Sequence, residues 1–146
     1  MIQVSLLVPC YNSQEFIREL VSQAKEQTVK FSEIILFDDS SGDNTRQVIR
    51  GIEGVKVICS DVNLGAAEAR NRLLEVSSCP YVHFHDSDDP FSSKEFLAQM
   101  ISQFQEGAVN FCAWKSVNQD GSLELFKERY HDVGNWASFF TLHDKN

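Results

Sequence analysis

Residues 33–45 read EIILFDDSSGDNT, an apolar run from Ile34 to Phe37 that stops abruptly on Asp38 and Asp39 and passes through Ser40, Ser41 and Gly42. A short run that is apolar at every position, rather than at alternate ones, fits a strand covered on both faces, as in a parallel sheet. Asp43 then stands where a carboxylate caps a short helix carrying Val48, Ile49 and Ile52. The same punctuation recurs on either side. Val4 to Val8 ends at Pro9-Cys10-Tyr11-Asn12, and Phe16, Ile17, Leu20, Val21 and Ala24 then form the stripe of an amphipathic helix. Asn12 with Glu15 three residues later predicts a capping box at its start. Val55 to Cys59 predicts a third strand, followed by Asp61-Val62-Asn63-Leu64-Gly65 and a helix from about Ala66 to Val76. Pro80 precedes a fourth strand, Tyr81 to His85, which ends at Asp86-Ser87-Asp88-Asp89-Pro90. A fourth helix carries Phe96, Leu97, Met100, Ile101 and Phe104. Val109 to Trp114 and Ser122 to Phe126 predict a hairpin around Gln119-Asp120-Gly121, and Val133 to Leu142 a weak helix.

Four strands alternating with four helices predict an α/β chain, a three-layer α-β-α arrangement around a mostly parallel, Rossmann-like sheet. At 146 residues the chain suits one domain, which buries roughly 68–70% of its unfolded surface. Apolar residues at 42% and charged residues at 23% exclude a disordered or fibrous chain. No apolar run reaches the length of a membrane span. Thirteen basic against 21 acidic residues, a formal charge of −8, argue against a nucleic-acid partner, since phosphate backbones demand Lys and Arg. One anionic ligand held through a metal stays compatible with that charge. Cys10, Cys59, Cys79 and Cys112 contain no C-x-x-C pair, so they read as structural thiols of a reducing compartment and not as a zinc site. Met1 leads directly into strand-like VSLLV without the regions of a signal peptide, which adds to the expectation of a cytoplasmic chain.

In an open α/β sheet the ligand lies beyond the carboxyl ends of the strands, and every polar cluster above falls at such an end. Asp86-Ser87-Asp88 is weak evidence as a triplet, because about 0.7 D-x-D triplets are expected by chance at this Asp content. Its place after a buried strand gives it weight: carboxylates there can hold Mg2+ or Mn2+, which completes its shell with phosphate and water. The competing reading is that Asp88 or Asp89 caps the next helix. Asp38 and Asp39 can only accept hydrogen bonds, so a carboxylate here would select a base edge bearing an N–H, as in uracil, thymine or guanine. For Asp38 the alternative is a loop anchor closing on the Ser40 and Ser41 amides. Tyr11 could lay its ring against the base or pack in its loop. Gly65 before a helix suggests an anion site, with Arg70 one turn further on and Arg72 turned away to solvent. His83 and His85 flank Phe84, which raises a metal-hydrolase reading against a plain strand-end histidine pair.

Taken together, VSLLVPCYNSQEFI, EIILFDDSSGDNT, DVNLGAAEARN and YVHFHDSDDPF resemble, in order and spacing, the nucleotide-binding half of a family 2 glycosyltransferase with the GT-A fold. The resemblance covers about residues 3–100. It implies that Pro9 and Tyr11 line the base and ribose pocket and that Asp39 reads the base N–H. It implies that Asn63, Gly65 and Arg70 lie near the ribose and diphosphate. Asp86 and Ser87 would belong to the donor site, and Asp88, with Asp86, would ligate the divalent cation. The implied reaction is transfer of a sugar, with inversion, from a nucleotide diphospho-sugar (UDP-linked) to a hydroxyl on a saccharide, lipid or protein acceptor.

Two departures accompany the resemblance. The family's base belongs to an acidic motif well downstream of D-x-D, yet no Glu-Asp pair follows Asp89, and nothing places Asp120, Glu124, Glu128 or Asp132 as that base. His83 and His85 stand where apolar or small residues are usual. The expectation is a single domain over 1–146, with 1–105 binding the nucleotide sugar and 106–146 beginning an incomplete acceptor side. A nucleotide-sugar-binding module without catalysis is the second reading. A phosphoacceptor receiver is the third; against it, Asp61 is offset past the third strand and Lys115 precedes Ser116 rather than Pro.

Overall fold

A computed structural model describes residues 2–104, 114–117 and 123–126. Its elements follow the sequence order: β1 (Val4–Cys10), α1 (Ile17–Glu26), β2 (Glu33–Asp39), α2 (Thr45–Arg50), β3 (Lys56–Ser60), α3 (Ala66–Val76), β4 (Tyr81–Phe84), α4 (Phe96–Ser102), β5 (Trp114–Val117) and β6 (Leu123–Phe126). The first four strands form one parallel sheet in the order β3-β2-β1-β4, with Leu7 opposite Ile35 on one side and Phe84 on the other. β5 and β6 pair antiparallel, Trp114 opposite Phe126. β5 shares only Trp114 with the predicted Val109–Trp114 strand and β6 lies within the predicted Ser122–Phe126 one, while 109–113, the expected turn at 119–121 and the predicted 133–142 helix lie outside the described residues.

Side chains of β1 and β2 leave the sheet alternately, and each face has its own core. Leu6, Val8, Ile34 and Leu36 pack with Ile17, Leu20, Val21 and Ala24 of α1, Ile49 of α2 and Leu97 of α4. Leu7, Ile35 and Phe37 pack on the opposite face against Ala69 and Leu73 of α3. The chain steps outward from β1 to β3 and then crosses to β4 on β1's other edge. Reversing direction while keeping right-handed crossovers puts α3 on the face opposite α1 and α2. The predicted three-layer parallel architecture is therefore the observed one. The reversal sets the carboxyl ends of β1 and β4 side by side in the sheet.

Local details differ from expectation. β2 runs on through Asp38 and Asp39, which stand opposite Cys59 and Ser60 in the ladder. Asn12 does not cap α1. It adopts a positive φ of 52°, which Asn tolerates, and its Oδ1 accepts the Gly42 N–H at 2.9 Å. The neighbouring strand-end loop competes for that side chain, and α1 begins later, at Ile17. Of the thiols, Cys10 is buried, and its burial pushes its pKa far up; Cys59 and Cys79 are half-buried. Among the described residues, no helix is long and apolar enough to cross a membrane.

Candidate functional site

The loops after β1, β2, β3 and β4 meet along the carboxyl edge of the sheet, and hydrogen bonds join them. Asp39, only 4% exposed, is the central acceptor. Its Oδ1 takes the Leu64 N–H at 2.7 Å and its Oδ2 the Gly65 N–H at 2.8 Å, while its backbone carbonyl takes the Asn63 Nδ2 at 3.2 Å. A carboxylate offers about four lone-pair sites, so Asp39 holds this loop with acceptor capacity to spare. Gly65 leads into α3 at φ 82° and ψ 161°, a region that only glycine occupies readily. Its own N–H is thus committed to Asp39 and is not open to an anion, which narrows the anion-site expectation to the amides after it.

Asp38 is the loop anchor. Fully buried, it accepts the Ser41 N–H at 3.3 Å and an Arg46 Nε–H at 2.8 Å. Arg46 also reaches Asp61 and the Ser60 carbonyl, so one guanidinium fastens the ends of β2 and β3 to α2. Sequence reasoning missed Arg46; the only signal was a cation one residue into a helix that starts beside a buried carboxylate. Asp43 is not the cap expected of it: Asn44 holds the N-cap position without a side-chain cap bond, and Asp43, one residue earlier, supports the helix start with its Oδ1 accepting the Thr45 N–H at 2.9 Å.

From α3, Arg70 pairs with Asp86 at 2.7 Å, and Arg72 is bound instead to Glu68 and Glu75 on the solvent side of the helix. Ser13, buried and also unanticipated, places its Oγ 2.6 Å from the Ser87 Oγ and donates its backbone N–H to the Thr45 Oγ1 at 2.7 Å. It links the β1 loop both to the D-x-D turn and to α2. Pro9 is half-buried near the end of β1, and Tyr11 just beyond is 56% exposed, so its ring is open to solvent rather than packed. Asp86, Asp88 and Asp89 are exposed and close in sequence. Burial first, and then the charges of Asp88 and Asp86, raise the Asp89 pKa. Such crowded carboxylates suit a hard divalent cation that needs one or two protein oxygens. Among the described residues no group of three or more His, Cys, Asp and Glu converges, so any cation here would draw most of its shell from ligand and water.

His83 and His85 point to the same side of β4, into Phe31, Phe91 and Phe96. Their nitrogens are engaged with each other, His83 Nε2 to His85 Nδ1 at 3.1 Å, and His85 Nε2 with the Asp89 carbonyl at 2.8 Å. Burial, followed by the neighbouring His85, lowers the His83 pKa to about 3, and burial lowers that of His85. Both rings face the aromatic core with these nitrogens engaged, an arrangement of a strand-end pair and not of two metal ligands.

Comparisons with known proteins agree with this geometry. Glycosyl transferase family 2 matches residues 5–145. The chain is 42% identical over 88 residues to the Escherichia coli UDP-Glc:alpha-D-GlcNAc-diphosphoundecaprenol beta-1,3-glucosyltransferase WfaP, covering 59% of this chain and 35% of that protein. The crystal structure of S. aureus TarS 1-349 in complex with UDP superposes with a TM-score of 0.62 at 31% identity, over 69% of this chain and 31% of TarS. A Pyrobaculum calidifontis mannosyltransferase in complex with GDP-Man and Mn2+ shares the fold, with a TM-score of 0.67 at 23% identity over 73% of this chain and 33% of that one. The chain spans about an eighth to a half of the length of the curated relatives it matches. With the strand order, the strand-end motifs and nearly the whole sequence in agreement, the chain belongs to glycosyl transferase family 2.

Proposed function

We propose that this chain is the donor-binding part of an inverting glycosyltransferase, cytoplasmic and dependent on Mg2+ or Mn2+, that takes its sugar from a UDP-sugar. The observation that supports the reading is that hydrogen bonds at the carboxyl ends of the strands join Asp39 to Asn63 and Gly65, Arg70 to Asp86, and Ser13 to Ser87, with Asp88 next along the β4 loop and Pro9 and Tyr11 at the end of β1. Asp39 keeps acceptor capacity toward a base N–H, and Tyr11 offers an exposed face for stacking. Arg70 lies where it can share its guanidinium between Asp86 and a diphosphate oxygen. A cation at Asp86 and Asp88, when bound, would neutralise charge growing on the leaving diphosphate. Residues 1–105 form the donor-binding part, and 106–146 belong to the acceptor side. The UDP named for TarS and the UDP-Glc named for WfaP support the choice of base. The buried Cys10 thiol and the free half-buried thiols support a reducing compartment.

Calorimetry with UDP and Mn2+, repeated with chelator, tests the site. Asp88→Ala should lower metal-dependent UDP affinity by more than about tenfold with the fold intact; unchanged affinity removes Asp88 from the site. A binding module without catalysis is the second reading, favoured by the lack of a Glu-Asp pair after Asp89. Binding without transfer or donor hydrolysis in the full-length protein would establish it.

A further inference from the structure

Resting on the donor-site reading, we infer that His85 is a positioning residue that clasps the D-x-D turn shut through its hydrogen bond to the Asp89 carbonyl. The backbone N–H of His85 is fixed to β1 by the Leu7 carbonyl at 3.0 Å, so the residue before Asp86 is tied to the sheet. Its ring then reaches forward over the turn to the Asp89 carbonyl at 2.8 Å. The turn between them carries Asp86, Ser87 and Asp88, and the Asp89 N–H closes back on the Asp86 carbonyl at 3.2 Å. A carbonyl only accepts, so His85 Nε2 must donate. In a neutral ring Nδ1 is then the acceptor, and the 3.1 Å contact requires His83 Nε2 to donate to it. The His83 ring, 2% exposed, thereby selects the tautomer of His85 that the clasp needs. Phe91, stacked on His85 at 4.2 Å and 13° between planes, fixes the ring's orientation. The clasp holds together a turn whose three carboxylates repel one another before any cation arrives, so its value lies in preorganisation.

His85→Phe retains an aromatic ring to stack on Phe91 and cannot donate. Calorimetry of UDP with Mn2+ should show affinity lower by about tenfold, while uridine alone, which does not engage the turn, binds as before by NMR titration. His85→Gln, whose amide N–H falls near the position of Nε2, should recover most of the loss. Unchanged UDP affinity in His85→Phe, or an equal loss for uridine, overturns the clasp. A wild type that binds neither ligand overturns the donor-site reading and the clasp with it. Should His85→Phe fail to fold, long-range 15N–1H correlation of the wild-type imidazoles decides: a protonated Nε2 with bare Nδ1 at His85 supports the clasp, and the opposite tautomer overturns it.

Discussion

Asp39 shows how one side chain can look like a ligand group and also hold the site together. Each of its oxygens accepts a separate backbone amide, Leu64 and Gly65. Asp39→Asn retains one acceptor and turns an NH2 toward the other amide, donor against donor. Leaving a buried N–H without its acceptor costs about 1–3 kcal/mol. Urea denaturation of Asp39→Asn should therefore register a loss of that size in the absence of any nucleotide, alongside weaker UDP binding. A purely base-reading residue would leave the unliganded stability alone. Sequence marked Asp39, Gly65, Arg70 and Asp86 because charged or special residues at strand ends are visible in one dimension. Arg46 and Ser13 were not legible, because their importance comes from partners 8 and 74 positions away, which only the sheet order brings close. Asn12 misled for the same reason: its nearest helix was the obvious partner, and the loop of residues 40–42 is the real one.

At the scale of elements, apolar runs located all four parallel strands, and α3 spans the residues expected of it. Strand ends were the weak point. Hydrophobicity stops at Phe37 while the ladder continues through Asp39, because these carboxylates are buried on internal partners and cost the strand nothing in pairing. The opposite edge of the sheet has its own fastening. Glu33 Oε1 accepts the Ser5 hydroxyl at 2.5 Å and the Ser78 N–H at 2.6 Å, tying the start of β2 to β1 and to the α3–β4 connection. Burial opposes ionisation of Glu33, but these hydrogen bonds outweigh it and hold its pKa below the usual 4.5. A folded pKa below the unfolded one stabilises the fold above pH 4.5, and that contribution is lost as pH falls through the folded value. Glu33→Gln should thus lower the urea midpoint at neutral pH, and the gap from wild type should narrow below pH 4.5. A gap independent of pH would mean that the carboxylate charge is not what fastens these strands.

For the molecule as a whole, the two cores share a single sheet. Leu36 and Ile35, both fully buried, are adjacent in sequence yet belong to opposite cores. Leu36→Ala and Ile35→Ala should each cost about 2–5 kcal/mol. Both should displace the same circular-dichroism transition, since neither core can open without exposing the sheet's backbone. Separate transitions would mean that the faces unfold independently. The strand order carries a consequence for the nascent chain. β1 leaves the ribosome before the three strands it pairs with in this sheet and lies inside the finished sheet, with β2 on one edge and β4 on the other. β2 follows within a few dozen residues, but β1's second edge stays open until Tyr81–Phe84 has been synthesised. Leu7 meanwhile lacks the cover of α3. β1 thus precedes its sheet partners yet is enclosed only when β4 arrives, and over that interval it presents an apolar edge for a chaperone to shield.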